Sequence, residues 1–216
     1  MEKSDKKIAI IDYRLGNLFS VKHMCKHLGY DAVITSDKDV LMQSDYAILP
    51  GVGAFGDAMT TLKKSDLISP IHDFIQSGKP FMGVCLGLQL LFSESDEFGS
   101  NKGLNVIEGS TRKFPSKDTN GNILKVPQIE WNTIEIADHE KAEKSPLKNR
   151  KTGDFMYFVH SFFVVPEKRD HLLTTTTYGG LTYCSSIIKD NLFACQFHPE
   201  KSGQLGIDIY RNFLNQ

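Results

Sequence analysis

The sequence predicts an α/β fold with a mostly parallel central sheet, helices on both faces of it and an added antiparallel β portion. In the first half, short apolar runs alternate with segments of helical periodicity, and this order favours parallel strands joined by crossover helices. In the second half, β-rich runs follow one another closely. With 216 residues, 40% of them hydrophobic, the chain can bury a full core, so we expect a single domain spanning 1–216.

The elements of the first half follow from hydrophobic periodicity and from Gly and Pro at their ends. Strands are predicted at 7–12, 31–36, 45–50 and 81–85. Helices are predicted at 17–29, 54–64, 66–78 and 86–95. The last of these follows the strand FMGVC without any intervening loop.

The second half reads as a series of strands rich in Thr, Ile, Val and aromatic residues. They are predicted at 106–114, 123–127, 131–136, 154–166, 171–178, 181–190 and 191–197. The polar segment 137–154 is expected to form an exposed loop or a short helix, and 202–216 a C-terminal helix.

Composition excludes several classes of function. The net charge is -1 and no block of basic residues stands out, so neither nucleic acid nor a membrane surface is expected as a partner. No apolar run approaches the roughly 18 residues that a spanning helix needs. The four cysteines are isolated from one another, which favours neither a zinc site nor a disulfide framework and is typical of a cytoplasmic protein.

Cys85 stands where a predicted strand turns into a helix, between Gly83 and Gly87. Flanking glycines allow the strained turn that lifts a nucleophile out of the packed layers. At a helix N-terminus the thiolate is favoured, and the free backbone N–H of Leu86 is able to bind an oxyanion. The sequence therefore makes Cys85 a candidate nucleophile, with a small buried structural cysteine as the alternative. The other cysteines are interpreted as core residues.

A cysteine nucleophile needs a base, for which His198 and His160 are the candidates left among the histidines. His198 ends an apolar strand, and Pro199 prevents that strand from continuing. Glu200 lies two residues on, so in an extended chain its side chain points the same way as the imidazole. Cys85, His198 and Glu200 form a coherent triad, while His160 is equally consistent with a hydrogen-bonded structural residue.

Two motifs, GVCLGLQ and FHPEKSG, resemble the G-x-C-x-G-x-Q and H-P-E patterns of class I glutamine amidotransferases. Further segments resemble one branch of that family, the glutaminase subunits of imidazole glycerol phosphate synthase in histidine biosynthesis. They are IDYRLGNLFSV, LPGVGAFGDAM, VPQIEWN and YFVHSFFV. The resemblance runs over nearly the whole chain and implies hydrolysis of L-glutamine without a cofactor or metal.

The resemblance assigns a role to each matching residue. Cys85 would attack the glutamine amide, His198 would transfer the proton and Glu200 would orient the imidazole. The oxyanion would be bound by backbone N–H groups, and further residues would hold the substrate. The oxyanion residues are Val52, Gly53 and Leu86, and the substrate-binding residues are Gln89, Glu97, His160, Ser161 and Phe162.

The resemblance also implies a partner, a (β/α)8-barrel cyclase that receives the ammonia through a tunnel in a 1:1 heterodimer. The expected interface residues are Gln128, Glu130, Trp131 and Asn132. The family pattern there is P-H-x-G-W-N, so Gln128 replaces a His and Glu130 a Gly. Because of these two changes, a paralogous role remains open, in which the ammonia amidates a sugar for surface polysaccharide.

Two other classes share the fold. Cysteine proteases and chaperone-like proteins carry a cysteine at the same turn but would lack the equivalents of Gln89 and Glu200, which are both present. A non-catalytic interaction subunit would be expected to have lost part of the triad. The sequence therefore favours a glutaminase over both.

Overall fold

The structure, a computed structural model, describes residues 5–216 and has the α/β architecture that the sequence predicts. Its strands are β1 Ile8–Ile11, β2 Ala32–Thr35, β3 Tyr46–Gly51, β4 Phe81–Cys85, β5 Phe92–Ser95, β6 Asn101–Lys102, β7 Ile107–Lys113, β8 Gln128–Thr133, β9 Glu135–Ile136, β10 Phe155–His160, β11 Phe162–Pro166, β12 Leu172–Tyr178, β13 Leu181–Lys189 and β14 Leu192–Cys195. Its α-helices are α1 Leu18–His27, α2 Lys38–Met42, α3 Phe55–Lys64, α4 Ile68–Gln76, α5 Leu86–Leu90, α6 His139–Glu143 and α7 Gly203–Leu214.

A mixed sheet organises the fold. Among residues 5–216, twelve strands form one sheet, whose main path runs β2-β1-β3-β4-β14-β13-β11-β7-β5-β6. The first five strands of this path are parallel, and β13, β11 and β7 continue it antiparallel. A separate pair, β8 and β10, forms a small antiparallel sheet. The predicted combination of a helix-covered parallel sheet with an antiparallel portion is confirmed.

Helices cover both faces of the parallel strands because those strands are apolar on both sides. One core packs α1 and α7 against one face, with Val21, Cys25, Ile209 and Phe213 fully buried. The other core packs α2, α3 and α4 against the opposite face and includes Leu62, Ile71 and Phe74. The sheet therefore fixes the ends of β3, β4 and β14 side by side at one edge.

Four predictions about elements were wrong. The helix predicted at 86–95 ends at Leu90, and β5 follows, because this apolar run is long enough for either element. The strand predicted at 123–127 is only an isolated bridge between Lys117 and Ile123. The run 154–166 divides at Ser161 into β10 and β11, which belong to different sheets. His171 ends a 3-10 helix and does not begin a strand.

The polar segment 137–154 contains the short helix α6, one of the two forms expected for it. The C-terminal helix is present as α7. Nowhere in residues 5–216 does a helix have the length and apolar character needed to cross a bilayer.

A substitution at the junction of β4 and α5 can test how tightly α5 packs against β3. A Cβ placed on Gly87 would lie 1.8 Å from the Leu49 carbonyl oxygen, which is fixed backbone. We therefore expect Gly87→Ala to lower the free energy of unfolding by about 2 kcal/mol or more, measured by urea denaturation.

Gly78→Ala serves as the comparison because no atom lies within 4 Å of the Cβ added there, although Gly78, unlike Gly87, has a positive φ of 79°. It should cost only the backbone strain, about 1 kcal/mol. Equal losses in the two variants would contradict the tight approach of β3 to α5.

Candidate active site

Cys85 occupies the strained turn that the sequence predicts. Its φ of 56° and ψ of -109° lie in a region that L-residues rarely adopt, and it directly precedes α5. Such strain persists only where the surrounding structure holds it in place. Here Gly51 of β3 pairs with Cys85 in register, and a Cβ on Gly51 would clash with Tyr13 Oη at 2.1 Å.

A cavity of about 250 Å³ opens beside Cys85. It brings together nine of the residues predicted from the sequence: Val52, Gly53, Cys85, Leu86, Gln89, Glu97, His160, Ser161 and Phe162. Pro127 and Val159 complete its lining. The nucleophile, oxyanion and substrate-binding candidates thus converge on one cavity, although they come from distant parts of the chain.

His198 interacts with Cys85 and is paired with Glu200. Nδ1 of His198 is 2.8 Å from Oε1 of Glu200, and both side chains are almost completely buried. Because a carboxylate accepts, Nδ1 carries a proton and Nε2 is directed elsewhere. Within residues 5–216, no protein group makes a hydrogen bond to Nε2 of His198. The pairing expected between the imidazole and Glu200 is present.

The electrostatics of His198 favour its protonated form. Burial lowers the pKa of His198, but the interactions with Cys85 and with Glu200 outweigh burial and raise the pKa to about 10. The thiol of Cys85 itself donates weakly to the Val159 carbonyl, with Sγ and O 3.8 Å apart. The thiol does not donate to Nε2 of His198 in this geometry, and hydrogen bonds of this kind often align only when a substrate binds.

The substrate-binding candidates are already engaged within the protein. Gln89 Nε2 donates to the Phe162 carbonyl at 3.0 Å and to Gln196 Oε1 at 3.1 Å. Glu97 accepts from the backbone N–H of Phe55 at the start of α3, with a separation of 2.6 Å. Burial raises the pKa of the Glu97 carboxyl, against the lowering effect of that hydrogen bond. Both side chains still line the cavity.

Two residues of the site were not singled out from the sequence. Gln196 is fully buried and directs Nε2 to Cys85 Sγ at 3.6 Å. It precedes His198 by two residues, so period-2 alternation could have placed both side chains on one side of the chain. Tyr13 donates to the Pro50 carbonyl at 2.9 Å and so holds the segment leading to Val52. No sequence pattern links Tyr13 to a segment 37 residues away.

The four expected interface residues differ in their exposure to solvent. Glu130 and Trp131 are exposed on β8, and Asn132 is half-buried. Gln128 is fully buried in the separate chain, so its side chain is not exposed on β8 as expected, and its place at a partner interface stays a prediction. Its register partner on β10 is His160, and both side chains point into the space between the small sheet and β13, where Tyr183 lies.

Burial of His160 gives the stability a pH dependence. Desolvation lowers the pKa of His160 to about 3. Between pH 6.5 and 3 the unfolded chain therefore binds a proton that the folded chain does not, and this histidine reduces the stability as the pH falls. From pH 7 to pH 5 its contribution should fall by about 2 kcal/mol. Urea denaturation should show that His160→Gln loses correspondingly less stability than the wild type over this range.

His139→Gln is the control, since His139 is exposed on α6. It should retain the pH dependence of the wild type. If His160→Gln and the wild type instead lost stability in parallel, His160 would not be neutral in the folded protein.

Comparison with known proteins agrees with this geometry. The profile of the family "Glutamine amidotransferase class-I" matches residues 9–216. "Imidazole glycerol phosphate synthase subunit HisH" of Syntrophotalea carbinolica is 46% identical over 208 residues, covering 95% of this chain and 98% of that protein. The protein of the same name from Aquifex aeolicus is 44% identical, with 96% and 95% covered. "Imidazole glycerol phosphate synthase subunit HisH 1" of Legionella pneumophila (strain Paris) is 39% identical, with 96% and 98% covered.

Solved structures share the fold at much lower identity. The structure of PurLQS from Thermotoga maritima aligns with a TM-score of 0.72 at 18% identity, over 98% of this chain and 99% of that one. A glutamine amidotransferase (tm1158) from Thermotoga maritima aligns with a TM-score of 0.60 at 16% identity, over 98% and 85%. With the family profile matching all but the first eight residues and Cys85 in a strained turn directly before α5, this chain belongs to the class I glutamine amidotransferases.

Proposed function

We propose that this chain is the glutaminase subunit of an imidazole glycerol phosphate synthase, which hydrolyses L-glutamine to glutamate and ammonia. The observation that carries the proposal is that Cys85, in its strained turn, lines a cavity and interacts with His198, whose imidazole is paired with the buried Glu200 carboxylate. The names of the relatives, which are 39–46% identical over nearly their whole length, support the choice of synthase. We also propose that 1–216 is a single domain, because both cores share the same sheet.

The chemistry follows from the positions of three side chains. Transfer of the thiol proton to Nε2 of His198 gives a thiolate–imidazolium pair, the form that the raised pKa of His198 favours, and the thiolate Sγ of Cys85 attacks the side-chain carbonyl carbon of glutamine. As the tetrahedral intermediate collapses, the C–N bond breaks and His198 returns the proton to the departing nitrogen, which leaves as ammonia. Water, deprotonated by His198, then attacks the glutamyl thioester and releases glutamate with the thiol restored. Glu200 holds the imidazole in the required tautomer throughout.

Backbone N–H groups stabilise the oxyanion in this scheme. Leu86 is the first residue of α5, so its N–H has no partner within the helix. The second donor is assigned to Val52 or Gly53, in the exposed segment held by Tyr13. Gly53 has a φ of 100°, and glycine allows the peptide there to reorient without steric cost. Alignment of this donor is the step at which a partner can control activity.

Ammonia must reach its acceptor without meeting water, because in bulk water at neutral pH it becomes ammonium and loses its nucleophilic lone pair. We therefore propose that the chain docks onto a (β/α)8-barrel cyclase in a 1:1 heterodimer and passes ammonia to it through a tunnel. Support comes from apolar side chains that are 43–55% exposed near the site: Val52, Ile129, Trp131 and Phe155. The isolated cysteines favour the cytoplasm as its location.

Replacing the proposed nucleophile should abolish the reaction that depends on glutamine without affecting the reaction that is supplied with ammonia directly. In a complex with the cyclase, Cys85→Ala should reduce the glutamine-dependent reaction by at least about 10³-fold and leave the reaction with added ammonium salts intact. Product formation by the cyclase measures both. Cys25→Ala is the control, because Cys25 is buried on α1 away from the cavity. Glutamine-dependent turnover that survived in Cys85→Ala would overturn the proposed nucleophile.

The exposed face of β8 should provide much of the binding energy for the partner. Trp131 is 51% exposed and contacts only the edge of Tyr157 among aromatic neighbours in the described chain. Burying such an aromatic side chain usually makes a hot spot, so Trp131→Ala should weaken cyclase binding by about 2 kcal/mol, roughly 30-fold in Kd. Calorimetry with the histidine-pathway cyclase measures this. Phe98→Ala, which changes an exposed residue of the β5–β6 turn, gives a second position for comparison.

The same titration decides between the two pathways. Binding to the histidine-pathway cyclase, with glutaminase turnover that rises strongly when the cyclase carries its ligand, is the expected result. If the chain ignored that cyclase but bound a barrel protein from sugar modification, the paralogous role would be correct. High glutaminase turnover without any partner would contradict both.

A further inference from the structure

Gln128 lies at the centre of a buried hydrogen-bonded network that the triad mechanism does not use. Its Oε1 is 2.9 Å from Tyr183 Oη, and its Nε2 donates to Glu130 Oε1 at 3.2 Å. Tyr183 Oη is in turn 3.2 Å from Nε2 of His160. Gln128, Tyr183 and His160 are all buried, whereas Glu130 is exposed on the docking strand β8. The network therefore joins an exposed carboxylate to the cavity.

The protons available do not satisfy this network in the orientation observed. His160 Nδ1 is 2.8 Å from the Phe162 carbonyl, which only accepts, so Nδ1 carries the proton of the neutral ring. Nε2 of His160 is then an acceptor that needs the Tyr183 hydroxyl proton. Gln128 Oε1 needs the same proton. A single hydroxyl proton cannot serve both acceptors, and an unsatisfied buried acceptor is costly.

Turning the Gln128 amide around removes the conflict. Its NH₂ group would then donate to Tyr183 Oη, and the Tyr183 proton would go to His160. The reversed amide would, however, place Oε1 against the Glu130 carboxylate, where Nε2 now lies 3.2 Å from it. Two acceptors at that distance repel each other, so Glu130 opposes the reversal. Withdrawal of Glu130 by a cationic group of a docking partner would permit it.

The other end of the network reaches the nucleophile. The Phe162 carbonyl that accepts from His160 also accepts from Gln89 Nε2 at 3.0 Å. Gln89 Nε2 also contacts Gln196, whose own Nε2 contacts Cys85 Sγ. A change at His160 is thus transmitted to two walls of the cavity, the segment at Phe162 and helix α5.

We propose that Gln128 is a positioning residue for the glutamine site, whose amide is held by Glu130 in the orientation that leaves His160 without a hydrogen bond from Tyr183. Release of Glu130 lets the amide reverse and fixes the His160–Phe162 segment for substrate. This deepens the proposed function and rests on it. It also explains why the two departures from the family pattern, at Gln128 and Glu130, occur together: they are hydrogen-bonded to each other.

The test replaces the carboxylate that opposes reversal. Glu130→Gln keeps the size of the side chain, but its amide is able to donate to a reversed Gln128. We expect the isolated full-length chain carrying Glu130→Gln to bind a glutamine-like electrophile, 6-diazo-5-oxo-L-norleucine, about three- to tenfold more tightly, the gain from one hydrogen bond. Saturation of the labelling rate of Cys85, followed by intact mass, gives this affinity separately from the maximal rate, which should change less than about twofold.

Two matched variants make the result specific. Glu135→Gln removes a carboxylate that is also exposed, on the neighbouring strand β9 and outside the network, and should label like the wild type. In a Tyr183→Phe background, which cannot relay the change, Glu130→Gln should have no effect on affinity. Should Tyr183→Phe fail to fold, Gln128→Leu provides the equivalent background.

Unchanged affinity in Glu130→Gln, or the same gain with and without Tyr183, would overturn the role of Gln128. A wild-type chain whose Cys85 is not labelled, or not protected by glutamine, would instead overturn the proposed function itself. The two failures are therefore distinguishable in one experiment.

Discussion

The close approach of β3 to the start of α5 is the constraint on which the site depends. The backbone passes near enough that a Cβ at Gly51 would meet Tyr13 and Leu86, and one at Gly87 would meet the Leu49 carbonyl. This packing holds Cys85 at a φ of 56°, a conformation that an unsupported cysteine would leave. It also brings the segment after Gly51 beside the N-terminus of α5, where the two proposed oxyanion donors would meet.

Strands from both the parallel and the antiparallel portion of the fold contribute residues at this point. Strand β10 delivers Val159 and His160 to the cavity, and β14 leads directly into the turn that carries His198. The small sheet of β8 and β10 has one strand facing outwards and the other forming a wall of the cavity. The same two-stranded unit thus carries residues of the proposed docking surface and of the proposed substrate site, with Gln128 and His160 paired across it.

Most of the architecture was predictable because hydrophobic periodicity reports burial directly. The parallel strands, the helices α1, α3, α4 and α7, and the strands β12, β13 and β14 lie where the pattern places them. The errors fall where a short apolar run suits a helix or a strand equally, as at β5, or where one run serves two sheets, as at Ser161. In such runs, pairing with distant strands decides which element forms and which sheet it joins, and the neighbouring residues in the sequence carry no information about that pairing.

The candidate site likewise contains residues that the sequence could predict and residues that it could not. The cavity residues could be predicted from motifs because residue type and spacing, as in GVCLGLQ and FHPEKSG, indicate their chemical roles. Tyr13 could not, since its importance lies in a contact with a residue far along the chain. Gln196 belongs to no motif, and only its position two residues before His198 could have indicated it.

The sequence by itself determined the class of fold and pointed to the groups that we propose do the chemistry: a cysteine between glycines at a strand end, and a histidine followed by a carboxylate at the next position but one. Only the tertiary structure decided that Gln128 is buried and bound to Glu130 and Tyr183, whereas the sequence placed it on a docking surface. The physical reason is that strand alternation assigns a side chain to one of two faces, but which face meets the core depends on the elements that fold against it.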